Sequence, residues 1–172
     1  AKSECTQSFF KTVQNMMHLA VTRHTAAEIV YNRADAEKPH MGLTTWKKAP
    51  HGRVQKSDTI VAKNYLSDTE LSQLNSITTS FLDFAEARAQ RHIITTMEDW
   101  RKRLEQFLAA MDYEVNATAG SVSQEQARAK AYEEYEKYKV IQDTTYVSDF
   151  DRFIYGSDED TLLPFDLHLK GS

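Results

Sequence analysis

Apolar side chains recur at three- and four-residue steps over most of the chain, which is the spacing of one face of an α-helix. The first stripe predicts a helix over residues 6–22. Four further helices have a start signal, a serine or threonine followed three residues later by Glu, Asp or Gln, which is the spacing of a capping box. The four signals are Thr25 with Glu28, Ser67 with Glu70, Thr96 with Asp99 and Ser123 with Gln126.

The segment 67–91 has the most regular apolar stripe, so we expect it to be the central helix, with the stripes around Trp100 and Tyr135 packed on it. The predicted fold class is therefore all-α, an irregular bundle of five or six helices around a central long helix. The other predicted helices cover residues 25–33, 59–65, 96–120 and 123–143.

Helical periodicity stops in a loop over residues 32–64, which holds two of the three prolines and two of the five glycines. Because Leu43 and Trp46 are apolar, we expect the loop to dock on the helices, with Trp46 at least half buried as an anchor. Stacking of a ligand on Trp46 is the competing interpretation. Residues 50–52 have the chemistry of a tight turn, so a short β-hairpin that pairs 42–46 with 53–55 is conceivable.

The charge is unevenly distributed. Residues 1–64 carry a formal charge of +5 and residues 65–172 carry −9, while residues 38–57 contain no acid at all. Two interpretations stay open. In one, the basic loop neutralises the acidic C-terminal half, for example Asp149, Asp151 or residues 158–160, through salt bridges.

In the other interpretation the loop binds an anion, because amines and a guanidinium that converge attract phosphate. The same loop has many hydrogen-bond donors in GLTTWKKAPHGR. The candidate anion- or ligand-binding residues are Arg23, His24, Thr44, Thr45, Trp46, Lys47, Arg53 and Lys56.

The common catalytic signatures are not found in the sequence, neither a phosphate-binding GxxxxGK[ST] or GxGxxG loop nor HExxH or GxSxG. His24 and Glu28 could share a ligand, but a first-turn glutamate is expected to cap its helix instead. We therefore predict no cofactor and no metal, name no catalytic residue and favour a protein that is not an enzyme. With one unpaired cysteine, Cys5, and no long apolar run, the chain fits a cytoplasmic protein without a membrane partner.

Residues 146–172 form an acidic and aromatic tail after a predicted helical domain of residues 1–145. Tyr146, Phe150, Phe153 and Ile154 are apolar or aromatic, so we expect the tail to pack on the same domain. The acidic run at residues 158–160 is predicted to be a solvated turn.

Several long segments resemble the virulence RhuM family of bacterial proteins. They are TVQNMMHLAV (12–21), TAAEIV (25–30), RADAEKPHMGLTTWK (33–47), KSDTIVAKNYLSDTELSQLN (56–75), TMEDWRKRLEQFL (96–108) and YEKYKVIQD (135–143). The resemblance implies that this region is the C-terminal part of a longer protein, whose preceding segment is a DNA-binding module of phage-regulator type. It implies no catalytic residues.

Two classes of function follow. The favoured one is a helical protein-interaction or effector module of a longer DNA-associated protein, which binds a protein partner or its own copy. The alternative is a toxin-like ligand-binding or catalytic domain that acts on a nucleotide or a nucleic-acid phosphate through the basic loop. In both, we expect weak anion binding at the loop and DNA contact only through a module that is not in this sequence.

Overall fold

The structure is a computed structural model, and it describes residues 2–114, 120–146 and 149–155. Over these ranges the chain forms six α-helices and three short 3-10 helices, with no β-strand. The all-α fold class is therefore confirmed. The helices are α1 (Lys2–Thr22), α2 (Ala26–Arg33), α3 (Asp68–Gln90), α4 (Met97–Ala110), α5 (Gln124–Thr145) and α6 (Asp149–Tyr155), and the 3-10 helices Pro39–Gly42, Lys56–Ile60 and Ala62–Tyr65 lie between α2 and α3.

The helix starts follow the capping signals. The hydroxyl oxygens of Ser67, Thr96 and Ser123 each accept a hydrogen bond from the backbone N–H three residues on, and the side chain at that position returns the contact. These contacts satisfy amide groups that have no partner inside the helix. Thr25 accepts from the Glu28 N–H at 3.2 Å, but the Glu28 carboxylate points elsewhere, so only half of that capping box forms.

Helix α4 ends at Ala110, ten residues before the end predicted from Gly120. The backbone closes there because Asp112 adopts a left-handed conformation (φ 63°) and the Tyr113 N–H donates to the Leu108 carbonyl at 3.0 Å. The prediction missed this end because a non-glycine residue takes the position that usually favours glycine.

Two layers of packing build the core. Helix α3 packs against α1, and the Phe81 ring of α3 meets Trp100 and Phe107 of α4 at centroid distances of 6.0 and 5.6 Å, as expected for the Trp100 stripe. The Tyr135 stripe does not behave as predicted, because α5 packs chiefly against α2 rather than α3. Ala127 and Ala131 are buried on α5, and their small side chains permit this close approach.

The loop contains no hairpin. Residues 43–55 are all described and form turns and extended links without strand pairing. The predicted helix over residues 59–65 is instead two 3-10 helices. In this stretch Ala62, Leu66 and Asp58 are buried, whereas Ile60 and Val61 are exposed. The Asp58 carboxylate turns inward because it accepts backbone hydrogen bonds from within the loop.

Part of the tail forms α6, and three of its large apolar side chains are more than half exposed. Phe150, Phe153 and Ile154 are 71%, 85% and 52% exposed. Tyr146 is partly buried. Residues 156–172, which include the predicted acidic turn, lie outside the described residues.

Candidate functional site: the basic loop and its seam with α5

A bidentate ion pair closes the two ends of the loop on each other. Arg33, at the end of α2, donates from Nη1 and Nη2 to the two carboxylate oxygens of Glu70 at 2.6 and 2.8 Å. The same Nη1 donates to the Tyr65 carbonyl at 2.9 Å. The hydrogen bonds from Arg33 lower the pKa of Glu70 to about 2. The first turn of α3 is thereby fixed to the last turn of α2.

The first half of the loop contains a left-handed turn. His40, Met41 and Gly42 have φ of 53°, 49° and 89°, a conformation that costs energy for the two non-glycine residues. Gly42 is required here because a methyl group on its Cα would overlap the carbonyl oxygen of Arg33. The turn places Met41 in the core, fully buried, and lays the His40 ring 4.5 Å from the Trp46 ring.

Trp46 anchors the loop. It is only 7% exposed, which confirms the prediction that at least half of the side chain is buried. Its Nε1–H donates to the Gly52 carbonyl at 2.7 Å and so fixes the turn that follows. The His40 ring covers part of its face, and the stacking of a ligand on Trp46 would require His40 to move.

The two candidate threonines, Thr44 and Thr45, donate hydrogen bonds to nearby backbone carbonyls. The Thr44 hydroxyl donates to the Leu66 carbonyl at 2.6 Å, and the backbone N–H groups of Thr44 and Thr45 both point at the Asn64 carbonyl. The Lys47 backbone N–H donates to Asp58 Oδ1 at 3.1 Å. The donors that suggested an anion cradle therefore bind carbonyls and a carboxylate of the loop itself.

The loop is held against α5 by one amide side chain of the helix and two cationic side chains of the loop. Gln142 accepts from the Val54 N–H at 2.7 Å and donates to the Val54 carbonyl at 3.1 Å, both in a buried environment. Beside this pair, Arg53 forms an ion pair with Asp143, and Lys56 Nζ lies 4.0 Å from Glu136 Oε1. The salt-bridge interpretation of the basic loop thus holds for Arg53 and Lys56, with partners on α5.

Three cationic or titratable side chains at the tip of the loop are exposed and have no ion-pair partner among the described residues. They are Lys47, Lys48 and His51. The turn that carries them is compact, since the Gly52 N–H donates to the Lys48 carbonyl at 2.7 Å. This tip is the part of the loop that stays available to an external anion.

Arg23 and His24 form a separate cluster at the corner between α1 and α2. His24 Nδ1 lies 3.1 Å from Glu28 Oε2, and Arg23 lies 3.7 Å from Glu114. Glu28 also accepts from the Ser121 N–H at 3.0 Å, so it links this corner to the start of α5. No described contact joins Arg23 or His24 to the basic loop, and the eight candidate residues do not form one contiguous cluster.

Within the described ranges, no three His, Cys, Asp or Glu side chains are grouped so as to hold a metal ion. No described helix has the length and apolar character needed to cross a membrane.

Comparison with known families decides the classification. A model of the virulence protein RhuM family matches residues 1–147, which is most of the chain. The chain belongs to the virulence protein RhuM family. Searches of curated proteins and of solved structures gave no match.

Sequence reasoning missed two residues that position the loop of this RhuM-family chain. Asp58 was not singled out, yet it is buried and accepts the N–H groups of Lys47 and Gln55. Gln142 was not singled out either, yet it is buried and binds the backbone of Val54. Its spacing from Tyr138 was the available signal, because a polar residue four positions after a buried one shares its helix face.

Proposed function

We propose that this chain is the helical interaction module of a longer, virulence-associated RhuM-family protein, and that it acts by binding a partner protein rather than through chemistry of its own. On this proposal the longer protein reaches DNA through a different segment. Any effector action of the module is exerted through the protein that it binds.

The observation that carries this proposal is the apolar stripe of α6. Phe150, Phe153 and Ile154 follow the i, i+3, i+4 spacing that places side chains on one side of a helix, and all three are more than half exposed. Large apolar side chains that share an exposed face mark a site of association in soluble proteins. A helix with such a stripe fits an apolar groove on another protein.

The charge around the stripe favours a partner of a particular kind. Residues 143–160 contain six acidic residues and only one basic residue, Arg152. A dimer through this segment would pair two stretches of net negative charge, which is unfavourable. The stripe therefore suits a different protein, with an apolar groove and a basic rim, better than it suits a second copy of this chain.

Site-specific photo-cross-linking tests the proposal. A photoreactive amino acid at position 153 of the full chain should yield one discrete cross-linked product with another protein in cells. That protein, once purified, should bind the wild-type chain, and Phe153→Asp or Ile154→Asp should weaken the affinity by about tenfold or more. The melting temperature should not change, because both side chains are exposed.

Ile94→Asp is the matched control. Ile94 is 95% exposed at the corner between α3 and α4, so the same chemical change is made on a different surface. An equal loss of affinity in this control would contradict the proposal. So would cross-links that contain only copies of this chain, or no cross-link at all.

A second candidate function is the binding of phosphate groups at the basic loop. It is favoured by Lys47, Lys48 and His51, which are exposed at the tip without ion-pair partners in the described structure. A thermal-shift screen of nucleotides and short DNA and RNA, with mass spectrometry of any products, would detect both binding and turnover. No shift with any phosphate compound would remove this candidate.

A further inference from the structure

Two cations of the basic loop face carboxylates of α5 in pairs that remain open to solvent. The side chains of Arg53 and Asp143 are 43% and 48% exposed, and those of Lys56 and Glu136 are 51% and 61% exposed. Ion pairs with this exposure contribute little to stability. They can exchange one anionic partner for another without unfolding the loop.

Aromatic rings hold the same two cations independently of the carboxylates. The guanidinium carbon of Arg53 lies 5.5 Å from the centre of the Tyr146 ring, and Lys56 Nζ lies 4.4 Å from that of Tyr132. A ring face attracts a cation whether or not an anion is present. The buried double hydrogen bond between Gln142 and Val54 fixes the backbone between the two cations. Both charges should therefore keep their positions when the carboxylates move away.

The α5 carboxylates are spaced like the groups of a multivalent ligand. Glu136 and Asp143 are seven residues apart, which is two helical turns and about 10 Å along the axis. They lie on one side of α5, facing the loop. Lys47 and Lys48 extend the positive charge beyond this pair toward the tip of the loop.

We propose that Glu136 and Asp143 are built-in counter-ions that occupy a phosphate-binding surface formed by Arg53, Lys56 and the tip lysines, and that a ligand with several phosphate groups binds by displacing them. This inference rests on the second candidate function above. It adds a regulatory contact, because two carboxylates of α5 compete with the ligand for the same cations.

The chemistry of the competitor favours phosphate over an acidic peptide. A phosphate monoester carries a charge of about −1.5 to −2 and three acceptor oxygens, against −1 and two oxygens for a carboxylate. A peptide would replace each carboxylate with another carboxylate and gain little. A polyphosphate gains charge at each exchange, and the Arg53 guanidinium can donate two parallel hydrogen bonds to it.

The test removes the internal anions without changing side-chain shape. In the full chain, Glu136→Gln with Asp143→Asn should raise the affinity for inorganic tripolyphosphate and for a single-stranded oligothymidylate by about tenfold at low salt. The control is Glu125→Gln with Glu133→Gln, which makes the same change in net charge elsewhere on α5. Arg53→Gln with Lys56→Gln should abolish binding of both probes, and circular dichroism should show that each variant is folded.

The outcomes distinguish a failure of the counter-ion proposal from a failure of phosphate binding itself. Equal affinities in the wild type and the Glu136→Gln/Asp143→Asn variant would overturn the counter-ion proposal while phosphate binding stands. An equal gain in the control would also overturn it, because net charge alone would then explain the gain. No binding of either probe in any variant would remove both. A gain for the oligonucleotide alone would identify nucleic acid as the source of the phosphates, and a gain for both probes would identify the phosphate groups themselves.

Discussion

Gln142 is the side chain that most directly joins the loop to the helical body. It is 5% exposed and satisfies both the N–H and the carbonyl of Val54, which is itself buried. Gln142→Ala should leave both backbone groups without partners and lower the free energy of unfolding by about 2 kcal/mol. Urea denaturation measures this loss. Gln106→Ala, at an exposed glutamine of α4, should change the stability by less than about 0.5 kcal/mol.

His18 should make the stability depend on pH. It is buried on α1, its Nδ1 has no described hydrogen-bond partner, and burial, with a smaller effect of Lys63, lowers its pKa below 6.5. The unfolded chain therefore takes up a proton at His18 before the folded chain does. Stability that is present above about pH 6.5 should be lost as the pH falls from there toward the folded-state pKa.

Denaturation at about pH 7 and pH 5 checks the role of His18. His18→Leu should reduce the difference in stability between the two pH values, whereas His51→Gln, at an exposed histidine, should leave it as in the wild type. The same pH dependence in His18→Leu and in the wild type would assign the effect to other groups.

At the residue scale, the burial of Trp46 was predicted from the sequence, whereas the hydrogen-bond partners of Asp58 and Gln142 were not. Trp46 was expected to be buried as an anchor, because the apolar residues of the loop are too many to leave in water. Asp58 and Gln142 could not be placed, because their partners are backbone groups that lie next to them only after the loop has folded. The Gln142–Val54 contact spans 88 positions of sequence.

The junction between α2 and α3 depends on the shape of an arginine. Arg33 makes three hydrogen bonds, two to Glu70 and one to the Tyr65 carbonyl, in a geometry that a single ammonium group cannot reproduce. Arg33→Lys should therefore cost about 1 to 2 kcal/mol, although the charge is retained. Arg101→Lys, on the exposed surface of α4, should be nearly neutral. Equal effects at the two sites would show that the geometry of the Arg33 pair does not matter.

Helix α3 supplies the core between α1 and α4. Leu74 and Phe81 are 8% and 6% exposed, and Phe81 contacts two aromatic rings of α4. Leu74→Ala and Phe81→Ala should each lower the free energy of unfolding by about 3 kcal/mol, since both leave a cavity. Chemical denaturation that shows a loss below about 1 kcal/mol for both variants would mean that the core lies elsewhere.

At the element scale, the capped helix starts and most helix ends were predictable, and the end of α4 was not. A start depends on a local contact, such as the Ser67 hydroxyl with the Glu70 N–H, that the sequence spacing encodes. The end of α4 was missed because its left-handed residue, Asp112, is not glycine, so the usual signal was absent. The partner of α5 was also missed, because a stripe of alanine and tyrosine does not specify which helix it packs against.

At the scale of the whole molecule, the uneven charge of the sequence leads to ion pairs where the basic loop lies along α5. Arg53 and Lys56 on one side meet Asp143 and Glu136 on the other. The opposite charges of the two halves of the sequence could be counted in advance, but their pairing required the fold. The apolar residues of α6 were noted in the sequence as part of a tail, but neither the helix nor their exposure was predicted.

The central claim is that the loop is an ordered structural part of the ligand-free protein, docked on α5. Hydrogen exchange of the ligand-free chain tests it directly, because the N–H groups of Thr44, Lys47, Gly52 and Val54 each have a hydrogen-bond acceptor. These four amides should be protected well above their unfolded rates, and Gln142→Ala should release Val54 first. Exchange across residues 43–54 at the rate of an unfolded chain would contradict the account.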